Sequence, residues 1–184
     1  MVNIVDFIDL TVKKNMYTDI STTIRNGLPV LTAIGLFAYS EMIGGLGRIV
    51  DGEPEIIVFG PGQSNKNYAK YLNMAGKCYS SLNSRQTYKI IRGGLIHRYF
   101  IRQRSTIEID PSDPFCKNNE YRGCAIRFEE DHVYFNVNRY FLDFMKTVEK
   151  LRKRVYRKGI ENLRFAEHIN ETEYILSKSG QKIR

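Results

Sequence analysis

The chain has 184 residues, 42% of them hydrophobic, and carries a formal net charge of +8. That length suits one domain with an appendage, and that hydrophobic share excludes global disorder. The charge excludes little: it favours acidic partners such as nucleic acid or an anionic surface without establishing one.

Met1 to Leu10 holds two aspartates and no basic stretch, so it does not read as a signal peptide. Ile4, Phe7, Ile8 and Val12 recur at helical spacing and predict a first helix over residues 3–14. Tyr17 to Arg25 continues it or forms a second short helix. Asn26-Gly27 then breaks the chain, and Pro29 suits the first turn of the next helix. Residues 28–50 are apolar nearly all round, which predicts a helix in the middle of a bundle. The run from Leu28 to Leu46 contains Ser40 and Glu41 and reads as a buried helix; no membrane partner is expected. Gly35, Gly44, Gly45 and Gly47 would let neighbouring helices come close. Residues 51–65 read as a loop with an apolar insert, Ile56 to Phe59, before the turn Gly60-Pro61-Gly62. Those glycines and Lys66 lack the spacing of a phosphate loop.

Residues 66–82 predict a further helix with Tyr68, Tyr71, Leu72, Ala75 and Tyr79 inward, and Ser84 is placed to cap the next one. After Arg104 the period changes from helical to two. Thr106 to Ile109, Ala125 to Phe128 and Val133 to Asn136 predict a small antiparallel sheet, an insert at about 105–137 that must pack on helices. Arg139 to Lys158 is the clearest amphipathic helix, its apolar stripe made of Phe141, Phe144 or Met145, Val148, Leu151 and Val155. Lys146, Lys150, Lys153 and Arg157 line another face, with Arg152, Arg154 and Lys158 beside them. This is either a solvated charged face or a contact for RNA. Gly159 ends the helix. The expected organisation is one helical domain over 1–158 and a C-terminal helix or tail over 159–184.

Cys78, Cys116 and Cys124 are an odd number without paired spacing, which predicts neither a disulfide framework nor a zinc site and fits a reducing cytoplasm. No cofactor and no metal are expected.

The segment Gln86 to Arg102, QTYKIIRGGLIHRYFIR, packs chemistry-bearing groups into a short apolar stretch. On an α-helical wheel Tyr88, Ile91, Leu95 and Tyr99 share one face, with Arg92 at its border, while Ile90, His97 and Ile101 share nearly the opposite one. Arg92 and His97 are then about 140° apart, so pairing them needs Gly93-Gly94 to deform the turn or a two-fold dimer to share the site. A histidine can take a proton from a ribose 2′-hydroxyl or give one to a leaving oxygen, and an arginine can stabilise the charge developing on the phosphate. The two suffice for metal-independent RNA cleavage. The plainer use is structural, a histidine packed between isoleucines and an arginine capping carbonyls.

Arg92-Gly93-Gly94-Leu95-Ile96-His97-Arg98-Tyr99 matches the R-x4-H-x-Y pattern and resembles that of HEPN-domain proteins, the higher eukaryotes and prokaryotes nucleotide-binding superfamily. The detailed match covers about a dozen residues; elsewhere the agreement is one of pattern. The resemblance implies a mainly α fold, a HEPN-like antiparallel helical bundle with a small appended antiparallel sheet, dimerising at the motif. Many members are metal-independent endoribonucleases of toxin or defence systems. Arg92 and His97 would be the catalytic pair, and Tyr99 matches a tyrosine that is adenylylated in some toxins, with an antitoxin as partner. One position departs: Gly93 stands where active members usually carry a polar residue. Three readings remain open, a ribonuclease acting as a homodimer, a non-catalytic dimeric module binding RNA, nucleotide or protein, and a purely structural protein.

Overall fold

The computed structural model describes residues 2–92, 104–117, 123–130 and 132–165; for 92, 104, 105 and 165 only the backbone is described. The architecture is mainly helical with a small three-stranded sheet.

A short strand β1 (Val2–Asn3) leads into α1 (Ile4–Asp6), where the Asn3 side chain accepts from the Asp6 N–H at 2.8 Å as an N-cap. The helix widens into a ten-residue π-helical stretch (Phe7–Met16) and returns to α winding in α2 (Tyr17–Arg25). Ile4, Ile8, Val12, Met16, Ile20 and Ile24 are all buried, one every four residues. At 3.6 residues per turn such a row would drift by about 40° per step. Mixing in the wider π winding keeps it on one side of the helix.

After the turn at Gly27 comes α3 (Pro29–Val50), with proline at its first turn. Its C-terminal half is buried all round, as its composition suggests, whereas Leu28 and Leu31 at the other end are exposed. The helix is long and apolar enough to cross a membrane, and 56% of its most apolar window is buried inside this fold. Its main partner is α5 (Ser64–Ala75). The reason for Gly44 is steric: a Cβ there would lie 1.8 Å from the Asn67 carbonyl oxygen, so only glycine allows the two backbones to touch. Arg48, buried in the same glycine-rich turn, bonds to Glu53 and donates to the Asn67 Oδ1 at 2.7 Å, which ties the end of α3 to α5. The apolar insert between them forms a single turn, α4 (Glu55–Val58).

The helix expected over 66–82 is divided. Gly76, at φ 136°, ends α5, and α6 (Lys77–Ser80) starts a new direction. The next helix, α7 (Ser84–Thr87), is capped by Asn83, whose side chain accepts from the Gln86 N–H, and not by Ser84, which is its first residue. A second π-helical stretch (Tyr88–Arg92) continues it.

The three strands fall where the alternation places them, as β2 (Arg104–Glu108), β3 (Ile126–Glu129) and β4 (His132–Asn136). The sheet is nevertheless mixed and not antiparallel: its order is β2-β4-β3, with β2 parallel to β4 and β3 antiparallel to it. A tight turn after Glu129 makes β3 and β4 a hairpin. The long connection from β2 to β3 leaves a gap of one strand, and β4 fills it. Asn138 pins that connection by donating to the Asp110 and Asp113 carbonyls at 2.8 Å each.

Helix α8 (Val137–Lys158) continues directly from β4, capped by Asn136 at its start and by Gly159 in the left-handed conformation at its end. Phe141, Phe144, Val148, Leu151 and Val155 are all buried, so Phe144 and not Met145 belongs to the stripe. They close the core with Phe37, Tyr68, Tyr71, Tyr79, Phe135 and Tyr140, a seam of edge-to-face and stacked rings. Its polar tips are mostly paired: Tyr140 donates to the Ser40 hydroxyl at 3.1 Å and Tyr79 to the Asp143 carboxylate at 2.8 Å. Past α8, β5 (Arg164–Phe165) pairs antiparallel with β1 and joins the two ends of the described fold.

Candidate functional site

The motif segment is held to the bundle at its near end. The Thr87 hydroxyl donates to the Asn83 carbonyl at 2.9 Å. The Tyr88 hydroxyl donates to the Glu41 carboxylate of α3 at 3.1 Å, and its ring lies 5.8 Å from that of Tyr68. Ile91 is fully buried, and Tyr88 and Ile90 pack against the core from either side of it. Arg92 is the last described residue of the π-helical stretch. Its side chain, together with His97 and Tyr99, lies outside the described residues. The histidine that is described, His132 on β4, hydrogen-bonds to the Thr106 hydroxyl at 3.0 Å and packs on Tyr134. Among the described residues no three His, Cys, Asp or Glu side chains converge to hold a metal ion.

The other sequence candidates are on α8, and there the cations divide into two sets. Arg152 makes a two-pronged contact to Asp9, its Nε and Nη2 each at 3.0 Å. On the other flank Arg154, Lys158 and Lys70 converge on Asp51. Burial alone would raise the Asp51 carboxyl; the hydrogen bond from Lys70 and the nearby charges of Arg154 and Lys158 outweigh it and hold it below the usual carboxylate range. Lys13 bridges to Glu149 at 2.8 Å, and that hydrogen bond raises its pKa against the effect of burial.

Lys146, Lys150, Lys153 and Arg157 lie between these flanks. Their spacing puts them in one row about 180° from the buried stripe, and all four are exposed. Among the described residues no carboxylate comes within salt-bridge distance of Lys150, Lys153 or Arg157, and Lys146 has only Asp143, at 4.0 Å. Three of the four border an open groove of about 520 Å³ lined by Tyr17, Met145, Lys146, Glu149, Lys150 and Lys153. The Tyr17 hydroxyl donates to the Met145 carbonyl at 3.4 Å, and its ring packs edge-on against Phe141 and Phe144. Burial, aided by the Glu149 charge, raises the Tyr17 hydroxyl far above its ordinary range, so it stays protonated.

Such a groove can take a chain of phosphates: ammonium groups along one wall supply charge, and an aromatic and a thioether form an apolar floor. The row is legible in the sequence and the floor is not. Met145 is ambiguous on the wheel because it sits at the edge of the apolar stripe, which is where a groove floor must be. Tyr17 comes from another helix, and only packing puts it there. Comparison with family models, with characterised proteins and with solved structures finds no match to this chain.

Proposed function

We propose that this protein acts on RNA, as a HEPN-like homodimer that cleaves the strand without a metal ion through Arg92 and His97. The observation that carries the reading is the sequence Arg92-x4-His97-x-Tyr99, directly following Ile91, which is fully buried in the core. In the proposed step His97 takes the proton of a ribose 2′-hydroxyl, the 2′-oxygen attacks the adjacent phosphorus, and the 5′-oxygen leaves with a proton. Arg92 stabilises the charge on the phosphoryl oxygens. A two-fold dimer supplies two imidazoles, one as base and one as acid. The outward row on α8 supports an RNA track, and Tyr99 is the candidate for modification by an antitoxin.

Purified protein incubated with RNA in EDTA tests this. Cleavage is expected, falling by roughly 10²–10⁴-fold in His97→Ala and 10²–10³-fold in Arg92→Ala. Gly93 favours a second reading, a non-catalytic RNA-binding dimer. RNA retention without cleavage, weakening steeply with salt, would replace the first reading with that one. An absence of RNA affinity at low salt would overturn both.

A further inference from the structure

The groove beside α8 changes character from floor to rim. On the helical wheel Met145 lies about 80° from the middle of the buried stripe, Glu149 about 120°, and Lys153 and Lys146 about 160–180°. Going outward, this wall is therefore a thioether, then a carboxylate, then ammonium groups. Tyr17, the first residue of α2, completes the floor. Tyr17 and Met145 are each half-buried, so part of each side chain is left open to the groove. The Tyr17 hydroxyl is already engaged with the Met145 carbonyl, so what it offers a ligand is its ring. One turn before Tyr17, Lys13 bridges to Glu149 at 2.8 Å and ties the first helix to this wall.

We propose that this groove takes an unstacked base of single-stranded RNA, with the flanking phosphates on the lysine rim, and so selects single strands over duplex. The proposal rests on the reading of α8 as an RNA track, and not on cleavage by Arg92 and His97. Phosphates alone need only the exposed ammonium groups and have no use for an apolar floor. A base has a flat apolar face and a polar edge, which matches the order of groups in the groove. Its face lies on Tyr17 and Met145, and its amino edge reaches the Glu149 carboxylate as donor. The Glu149 charge repels a phosphate, and its place between floor and rim keeps the backbone out on the lysines. Lys146 to Lys153 rise about 10 Å along the helix, a single row of cations that follows one strand. The volume of about 520 Å³ lies in the range of small-ligand clefts. A duplex must unpair and unstack a base before it can use the floor. It therefore meets the rim alone. Tyr17 and Met145 thus set the preference between the two forms, and the lysines set the affinity common to both.

The test is fluorescence anisotropy of the full chain with a short labelled 2′-O-methyl RNA, which has no hydroxyl to attack its own phosphate. The RNA is offered as a single strand or annealed to its complement, at one salt concentration. The single strand is expected to bind at least about 10-fold more tightly. Tyr17→Leu keeps apolar volume but removes the flat ring, and should weaken single-strand binding roughly 5- to 100-fold with duplex binding unchanged. Met145→Ala should act in the same direction. It stands at the edge of the α8 stripe and keeps helix propensity, so it reads the floor even where Tyr17→Leu costs stability. Lys150→Ala with Lys153→Ala should weaken both forms by the same factor. Equal affinity for the two forms would overturn the proposal and leave the RNA track standing, as would floor variants that bind the single strand like wild type. An absence of binding to either form would overturn the track itself, and the proposal with it.

Discussion

Two sets of cations share α8 and differ only in what the rest of the fold brings opposite them. Arg152, Arg154 and Lys158 meet Asp9 or Asp51 and serve as struts to the first helix and to the end of α3. Lys146, Lys150, Lys153 and Arg157, a fraction of a turn away, face solvent or the groove. In the sequence both sets are simply cations of one helix. A basic helix is therefore informative about binding only after the acids supplied by distant parts of the chain have been subtracted.

The largest effect is expected from Gly44→Val. It forces α5 away from α3, pulls Lys70 from Asp51 and is expected to destabilise by about 3 kcal/mol, measured by urea unfolding. Reversing the outward set with Lys150→Glu and Lys153→Glu should weaken RNA binding roughly 10- to 30-fold. It should also flatten the log–log salt slope by about 1.4 for single strands, as fluorescence anisotropy would read. Equal loss from Arg154→Ala and Lys158→Ala, at unchanged stability, would erase the distinction between the sets.

Next in size is Asp51→Asn, which leaves three cations without their shared partner. These groups are partly exposed, so the cost is about 1–2 kcal/mol. The Asp51 carboxyl is held below its unfolded value. Its contribution is thus present in full above the unfolded pKa of about 4 and is lost as pH falls below that. A stability–pH curve for Asp51→Asn should converge on wild type at the acid end, and a constant offset down to the lowest pH would contradict the assignment. The smallest effect belongs to the outward row: Lys150→Ala with Lys153→Ala should move stability by no more than about 0.5 kcal/mol.

Much of the fold is legible without coordinates. Asn136 and Gly159 bracket α8 by local chemistry, and Val133 and Phe135 alternate inward as a half-buried strand must. The division of the 66–82 helix has a visible signal in Gly76. The exchange of Ser84 for Asn83 as a cap is a one-residue choice that side-chain chemistry alone leaves open. The candidate site is legible only as residue types. The row on α8 can be placed by its spacing, but its floor requires Tyr17 from a helix more than a hundred residues earlier.

Local pattern alone places α3 as a core helix, the three strands and the buried stripe of α8, because propensity, capping and periodicity act over a turn or two. It took the packed fold to run β2 parallel to β4 and to set Asp9 and Asp51 against Arg152, Arg154 and Lys158 of α8. Each of those joins residues far apart in the chain, and such contacts are selected by the packing of a whole core, which no local pattern encodes.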